Sequence, residues 1–170
     1  IGAIPGTNDG DMVPGTLVPF AFYAHPVNEQ LAFGFGVYAP FGSKTEYEDT
    51  FQGRYFGDYT ELRVVSAQPT VSYRFNEQWS AGIGITYNQV EGELRRQLPS
   101  SAAFNAAGDV DSRVEGDDDG WGYNLGVIYQ PVPETTLGLT YRSAVDYELE
   151  GTFQATDPLG NVVRADTASL

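Results

Sequence analysis

The chain of 170 residues has no cysteine, a single methionine and a single histidine. Without cysteine there is no disulfide framework and no thiolate metal site. The one histidine, His25, stands beside Pro26. Nothing in the sequence pairs it with a nucleophile and an orienting group, as acyl-transfer catalysis requires. No H-E-x-x-H is present, no P-loop, and no G-x-G-x-x-G ahead of a helix. The glycines of GFGVYAPFG (34–42) are spaced as in a strand. The chain reads as a non-enzyme with no cofactor and no metal. Basic residues are also scarce: 9 against 23 acids, a net charge of −14. Phosphate contacts need the opposite sign, which excludes nucleic acid as a partner. No apolar run of about 18 residues exists, so no transmembrane helix is expected. The chain opens IGAIPGTNDG, without a basic start, an apolar leader core or an initiating methionine. The expectation is a mature product or a piece of a longer chain.

What the sequence has in abundance is glycine, 20 residues, and aromatic rings, with 11 Tyr, 10 Phe and 2 Trp. They are arranged with period two. In QWSAGIGITYNQVEGE (78–93), Trp79, Ala81, Ile83, Ile85 and Tyr87 fall on one side, and Gly82, Gly84, Thr86 and Asn88 on the other. Period two means a β-strand with unlike faces. The same alternation places Trp121, Tyr123, Leu125, Val127 and Tyr129 opposite Gly122, Asn124 and Gly126. It places Leu137, Leu139, Tyr141, Val145, Tyr147 and Leu149 on one side, with Ser143 as the polar break. Leu31, Phe33, Phe35 and Val37 follow it, as do Val71, Tyr73 and Phe75, and less regularly Val18, Phe20, Phe22 and Ala24. Strands are expected near 17–25, 30–41, 61–75, 78–95, 120–131 and 135–150.

The connections alternate in length. HPVNEQ (25–30), NEQ (76–78) and PVPE (131–134) are short joints of turn residues, whereas 42–60, 97–119 and the tail beyond 151 are long. Short turns at one end and long loops at the other are the layout of an outer-membrane β-barrel. A strand crosses a bilayer in about 9–11 residues, with an apolar face outside and small or polar groups within. Phe75, Trp79 and Tyr129 beside the short turns, and Tyr38, Tyr87 and Tyr147 toward the long loops, suit two aromatic belts. The competing architecture, a soluble β-sandwich, also has period two but accommodates the long 137–150 run poorly. An all-β antiparallel transmembrane barrel segment is the expected fold. Open edges cannot face lipid, so the sheet must close, and six strands fall short of the roughly eight a small barrel needs.

Several stretches resemble one family. GFGVYAPFGSKTEY (34–47), QGRY (52–55), QPTVSYRFNEQWSAGIGITY (68–87) and DDGWGYNLGVIYQPVPETTLGLTYRSAVDYELEG (118–151), in this order, are similar to the FadL/TodX family of outer-membrane channels for long-chain fatty acids and other hydrophobic compounds. The resemblance covers about residues 17–155. It implies a fourteen-stranded barrel, of which residues 1–170 would be a partial domain without the N-terminal hatch and the later strands. It implies a location in the bacterial outer membrane, with lipid and lipopolysaccharide around a monomeric barrel.

The resemblance also assigns residues. In YAPFGS (38–43), Pro40 lacks a ladder donor and Gly42 lacks a side chain, so a bend, a bulge or simply a strand end is expected. The family's matching strand kinks inward and opens a window for substrate, which implies Pro40 and Gly42 as the kink. In GELRRQLPSSAAFNAAG (92–108), Leu94 and Arg96 share one strand face and Arg95 takes the other. Arginine's planar fork suits a carboxylate. The resemblance places a head-group arginine at Arg96, with Arg95 one residue away; both could equally be solvated loop-base residues. The segment from Pro99 to Gly108 reads as a short apolar loop helix, and Leu98 and Phe104 would catch the alkyl tail. The acids Asp109, Asp111, Glu115, Asp117, Asp118 and Asp119 do not match an EF-hand and are expected on the solvated face of the long loop, or bridging divalent ions to lipopolysaccharide. Arg142 and Asp146 are expected to form an inward ion pair. The implied function is diffusional uptake of a long-chain fatty acid. The alternatives are a channel for uncharged hydrocarbons such as aromatic solvents, or a structural or adhesive barrel.

Overall fold

A computed structural model describes residues 6–7, 12–99 and 108–169. Phe104 and the expected loop helix lie outside the described residues. Among the described residues there are eight strands: β1 (Ala21–Pro26), β2 (Leu31–Glu46), β3 (Tyr59–Arg74), β4 (Trp79–Leu98), β5 (Val110–Val132), β6 (Thr135–Arg142), β7 (Glu150–Thr156) and β8 (Val162–Ser169). They form one antiparallel sheet in the order β1-β2-β3-β4-β5-β7-β8, with β6 also on β5. The sheet is not closed.

The short joints are built alike. Asn28 Oδ1 accepts hydrogen bonds from the N–H groups of Gln30 and Leu31, both at 2.8 Å. Asn76 Oδ1 accepts from Gln78 at 2.9 Å and Trp79 at 2.8 Å. An asparagine oxygen three residues before the start of the next strand closes the turn in place of backbone.

Pairing runs without interruption from Trp79↔Tyr129 to Leu98↔Val110. The outer face of this pair changes character at one level. Below it stand Trp79, Ala81, Ile83, Ile85 and Tyr87, opposite Tyr129, Val127, Leu125, Tyr123 and Trp121. Above it, Gln89, Glu91, Glu93 and Arg95 oppose Asp119, Asp117, Glu115 and Arg113. The apolar part is bracketed by two ring pairs, Trp79 stacked on Tyr129 at 4.2 Å and Tyr87 against Trp121 at 5.1 Å. Nine residues of β4 lie from one belt to the other, which is the length a tilted strand needs. Rings as exposed as Trp121 (67%) and leucines such as Leu139 (76%) would each cost about 1.5–3 kcal/mol in water. The face is stable only against lipid.

β5 starts at Val110, so all the acids expected in a loop except Asp109 belong to a strand that rises above the lipid. The outer face of that extension is charged throughout, and its inner face, with Val110 and Ser112 buried, mixes valine with serine, glycine and aspartate, which removes the apolar alternation by which a strand is recognised. The tail beyond 151 is likewise β7, a short hairpin turn and β8.

Two irregularities change which face a residue takes. In β2 the pairing steps from Tyr38↔Ser66 to Phe41↔Val64, so Ala39 and Pro40 together oppose Val65. After this bulge Phe41 and Ser43 face inward, and Gly42 and Lys44 outward. The second lies between β6 and β7. Both pair with β5, but seven residues, 143–149, span a stretch for which β5 uses six, 118–123. Leu137, Leu139 and Tyr141 pair with the outer-face residues Tyr129, Val127 and Leu125, as expected. Val145, Tyr147 and Leu149 do not share that face; the segment leaves the sheet and lies over its inner side. A Cβ on Gly120 would sit 2.5 Å from Val145 Cγ1, and one on Gly92 2.9 Å from Leu149 Cδ2. Glycine leaves the room that the segment fills there, most tightly at Gly120. β1 also departs from the alternation expected of it: Phe22 pairs with Gly36 on the inner face and stacks on Tyr38 at 5.9 Å.

Candidate functional site

The upper part of the wall between β1 and β2 is open. Their ladder ends at Ala21↔Val37, and the next backbone bond between the two runs is Glu46 N–H to Met12 O at 3.0 Å. Pro14 and Pro19 lie in the intervening segment and Pro40 faces them from the bulge. None of the three has an N–H to donate, so the edges cannot zip together. A cavity of about 700 Å³ occupies the breach, with Leu17, Val18, Pro40 and Phe41 among its walls and Lys44, Glu61 and Arg63 at its charged side. It therefore straddles the boundary between the apolar and charged parts of the outer face.

On the inner face a second, largely apolar cavity of about 390 Å³ lies beneath segment 143–149. Leu62, Val64, Val90, Val145, Tyr147 and Leu149 are among its walls. Ser66 and Asn88 at its floor are buried and satisfy each other, the Ser66 hydroxyl donating to Asn88 Oδ1 at 2.5 Å. Pro40, Phe41 and Leu62 line both cavities. The bulge is thus the shared wall between the interior and the breach.

At the top of β4, Leu94, Arg96 and Leu98 fall on the inner face, opposite Val114, Ser112 and Val110. Arg96 is exposed, and its carbonyl accepts from the Ser112 hydroxyl at 2.8 Å. No carboxylate among the described residues pairs with its guanidinium. Arg95 takes the outer face. Its Nε is 2.5 Å from Glu93 Oε1, its guanidinium lies over the Tyr59 ring, and Arg113 shares the same carboxylate at 2.8 Å. Loop 47–58 packs across this end: Asp58 N–H donates to Arg95 O at 3.1 Å and Gln97 N–H to Arg54 O at 2.9 Å. Burial pushes the Asp58 carboxyl above its ordinary value, and its Oδ1 has no hydrogen-bond partner.

The family model described as Outer membrane protein transport protein (OMPP1/FadL/TodX) matches residues 4–169. The chain belongs to this family. A long-chain fatty acid transport protein of Escherichia coli O6:H1 is 25% identical over 167 residues, covering 88% of this chain and 37% of the relative. Outer membrane protein P1 of Haemophilus influenzae is 30% identical over 180 residues, covering 91% and 39%. Among solved structures, a Pseudomonas aeruginosa FadL homologue superimposes with a TM-score of 0.75 at 22% identity, over 91% of this chain and 39% of that one. The P. putida toluene transporter TodX gives 0.61 at 21%, over 89% and 46%. The chain spans about two fifths of the length of these curated relatives. It is an outer-membrane FadL/TodX-type β-sheet, and the family consists of transport channels rather than enzymes.

Against this FadL/TodX frame, the sequence-expected residues separate into groups. Leu94, Arg96 and Leu98 are together on one face, and Arg95 is on the other, held by Glu93. Pro40 is in the bulge itself. Gly42 comes after it, and its backbone does not require glycine: a Cβ there would meet nothing nearer than Leu62 O at 3.7 Å. Arg142 and Asp146 do not form the expected ion pair. Four residues along an extended chain is about 13 Å, beyond the reach of direct contact. Instead Asp146 joins Glu148, Glu150 and Asp117–Asp119 around a solvated cavity, and no group of such residues among those described has the arrangement to hold a metal ion. Tyr38 and Tyr147 line the inner cavity rather than a belt. The inner cavity was not legible beforehand. Its one signal is Ser143, the polar break in the apolar series, which marks where the chain turns inward.

Proposed function

We propose that this chain forms the substrate-handling wall of an outer-membrane channel for hydrophobic small molecules, with long-chain fatty acids as the leading substrate. The observation that carries the reading is the pair of cavities sharing Pro40, Phe41 and Leu62, an apolar route from the barrel interior to a breach in the wall. The relatives named as long-chain fatty acid transport proteins support the substrate class. In this reading the tail is caught on Leu94, Leu98 and, beyond the described residues, Phe104. The carboxylate meets Arg96, whose fork is open on the inner face. Arg95 is a weaker candidate, because a ligand would have to displace Glu93. The molecule then passes the inner cavity and leaves sideways at the Pro40 bulge, with Gly42 keeping the outer mouth clear. Movement is diffusional. Uncharged hydrocarbons are the second reading, favoured by the apolar lining of the inner cavity and by the fold shared with a toluene transporter and a monoaromatic hydrocarbon channel.

Two variants of the full-length protein separate these steps. Arg96→Ala is expected to weaken oleate binding about tenfold or more, the value of a lost charge-assisted hydrogen bond, and to leave toluene uptake unchanged. Equal loss of both would remove Arg96 as the carboxylate ligand. Gly42→Trp, which fills the outer mouth, is expected to keep oleate binding and abolish its uptake into cells. Normal uptake by that variant would rule out the lateral exit.

A further inference from the structure

We propose that the inner cavity is a second binding station for a carboxylate amphiphile, with Arg142 as the counter-charge for its head group. The proposal rests on the reading of the chain as a channel for hydrophobic molecules and adds to it a site distinct from Arg96.

Arg142 closes β6 on the inner face, paired in register with Asn124, and lines the inner cavity. No carboxylate among the described residues lies within ion-pair distance of it. Its guanidinium is instead 6.0 Å from the centroid of the Tyr38 ring. Tyr38 belongs to β2, so the sheet curls enough for the two to meet over its inner face. The Tyr38 hydroxyl donates to Gln68 Oε1 at 2.6 Å and is itself held in place. The cation is therefore oriented without being neutralised.

The surroundings favour an anion with a tail. Val145, Tyr147 and Leu149 turn into the cavity, while Asp146 and Glu148 of the same segment line the acidic cavity instead. Segment 143–149 thus presents an apolar surface beside Arg142 and keeps its own carboxylates away from it. Ser66 and Asn88, the buried polar groups at the floor, already bond each other, leaving the exposed Arg142 as the unmatched charge at the cavity wall. A volume of about 390 Å³ lies within the range of small-molecule sites. A neutral hydrocarbon would fill it without using Arg142; a carboxylate uses both, through the two-pronged pairing that arginine offers.

The station is separate from the first. Arg142 is level with Asn124 and hence with Gly84 of β4. Arg96 lies twelve residues farther up that strand, or about 40 Å at the usual rise of about 3.3 Å per residue. One long-chain acid cannot place its head at both. The second station adjoins Pro40 and Phe41, so it is the last stop before the breach.

The test uses the complete protein in a neutral detergent, titrated with oleate carrying a 13C-labelled carboxyl and, separately, with methyl oleate. Wild type is expected to show two bound carboxyl resonances. Arg142→Ala should remove one and Arg96→Ala the other, each weakening its own site about tenfold or more. Arg142→Lys should retain a shifted resonance, and methyl oleate binding should be the same in all variants, which also reports that they fold. The proposal is overturned if Arg142→Ala keeps both resonances, or if it weakens ester and acid equally, since the cavity would then act by packing alone. Loss of the Arg96-dependent resonance with nothing assigned to Arg142 leaves the channel reading intact and removes this one. A wild-type protein that binds no oleate removes both.

Discussion

The turn asparagines and two acids outside the lipid span are the residues whose individual effects are most directly derived. Asn76 Oδ1 accepts two backbone hydrogen bonds. Asn76→Ala is expected to cost about 1 kcal/mol, read as a lowered urea midpoint for the full-length protein. Asp58 is half-buried above β3, and burial raises its carboxyl pKa. The folded state therefore prefers the neutral acid, so this contribution to stability is present at low pH. It is lost as pH rises from the ordinary carboxylate value near about 4 through the folded value. Asp58→Asn keeps the shape without the charge. It is expected to raise the thermal midpoint at pH 7 and leave it unchanged at pH 4; a lower midpoint at pH 7 would show that the charged form is held by its surroundings. Asp157 has the opposite sign. Hydrogen bonds from the Asn161 side chain and backbone hold its carboxyl low, and Gly160 takes the left-handed φ of 85° that the turn needs. Stability from this turn is present above the ordinary carboxylate range and fades as pH falls through the lowered value. Amide exchange in residues 157–161 should accelerate on acidification, whereas Asp157→Asn should flatten that dependence.

At the scale of elements, the feature that matters most is one extra residue. A bulge of Ala39 and Pro40 turns Phe41 inward, and the excess in 143–149 does the same for Val145, Tyr147 and Leu149. The second relies on space left by glycine. Gly120→Val would press a branched side chain into Val145 and is expected to cost about 1–3 kcal/mol by overpacking while reducing oleate uptake. Gly126→Ala is the matched control. It lies on the same strand and face, and its nearest neighbour, Thr140 Cγ2, is 3.9 Å away from the added Cβ. Equal uptake by both variants would mean that the inward segment does not shape the route. The acidic half of β5 follows another rule. Above the lipid boundary, charge pairs such as Arg113 with Glu93 across the strands and with Glu115 along its own strand replace apolar contacts, and exposed pairs of this kind contribute little each. The twenty-residue ladder with β4 holds that extension in place more than its charges do.

At the scale of the whole molecule, three strands among the described residues are paired on one side only, β1, β6 and β8. Each presents a row of backbone groups that lipid cannot satisfy and that another chain can. The 170-residue chain alone is therefore expected to associate through its edges in detergent, sedimenting as oligomers. A monomeric species with native-like β-structure would show that the edges are covered by some means internal to these residues.

The sequence by itself determined the class of structure, the outer face and the short joints. Lipid accepts only apolar side chains over about ten residues of every strand, so solvent writes a period of two that needs no knowledge of neighbours. That Leu94 and Arg96 share one face was legible for the same reason, whereas Leu98 joined them only because β4 runs on to it. Only tertiary structure decided what happens where that parity breaks. Whether Pro40 ends a strand or bulges within it depends on how Ser66 and Val64 pair with Tyr38 and Phe41 on either side of it. Whether Tyr147 faces lipid or lumen depends on glycines of β4 and β5 that are distant in sequence. Arg142 lost its expected partner through geometry along its own strand and gained Tyr38 through the curl of the sheet. Parity is local and survives as pattern; a one-residue change of face is settled by contacts between strands, and those are absent from any window of the sequence.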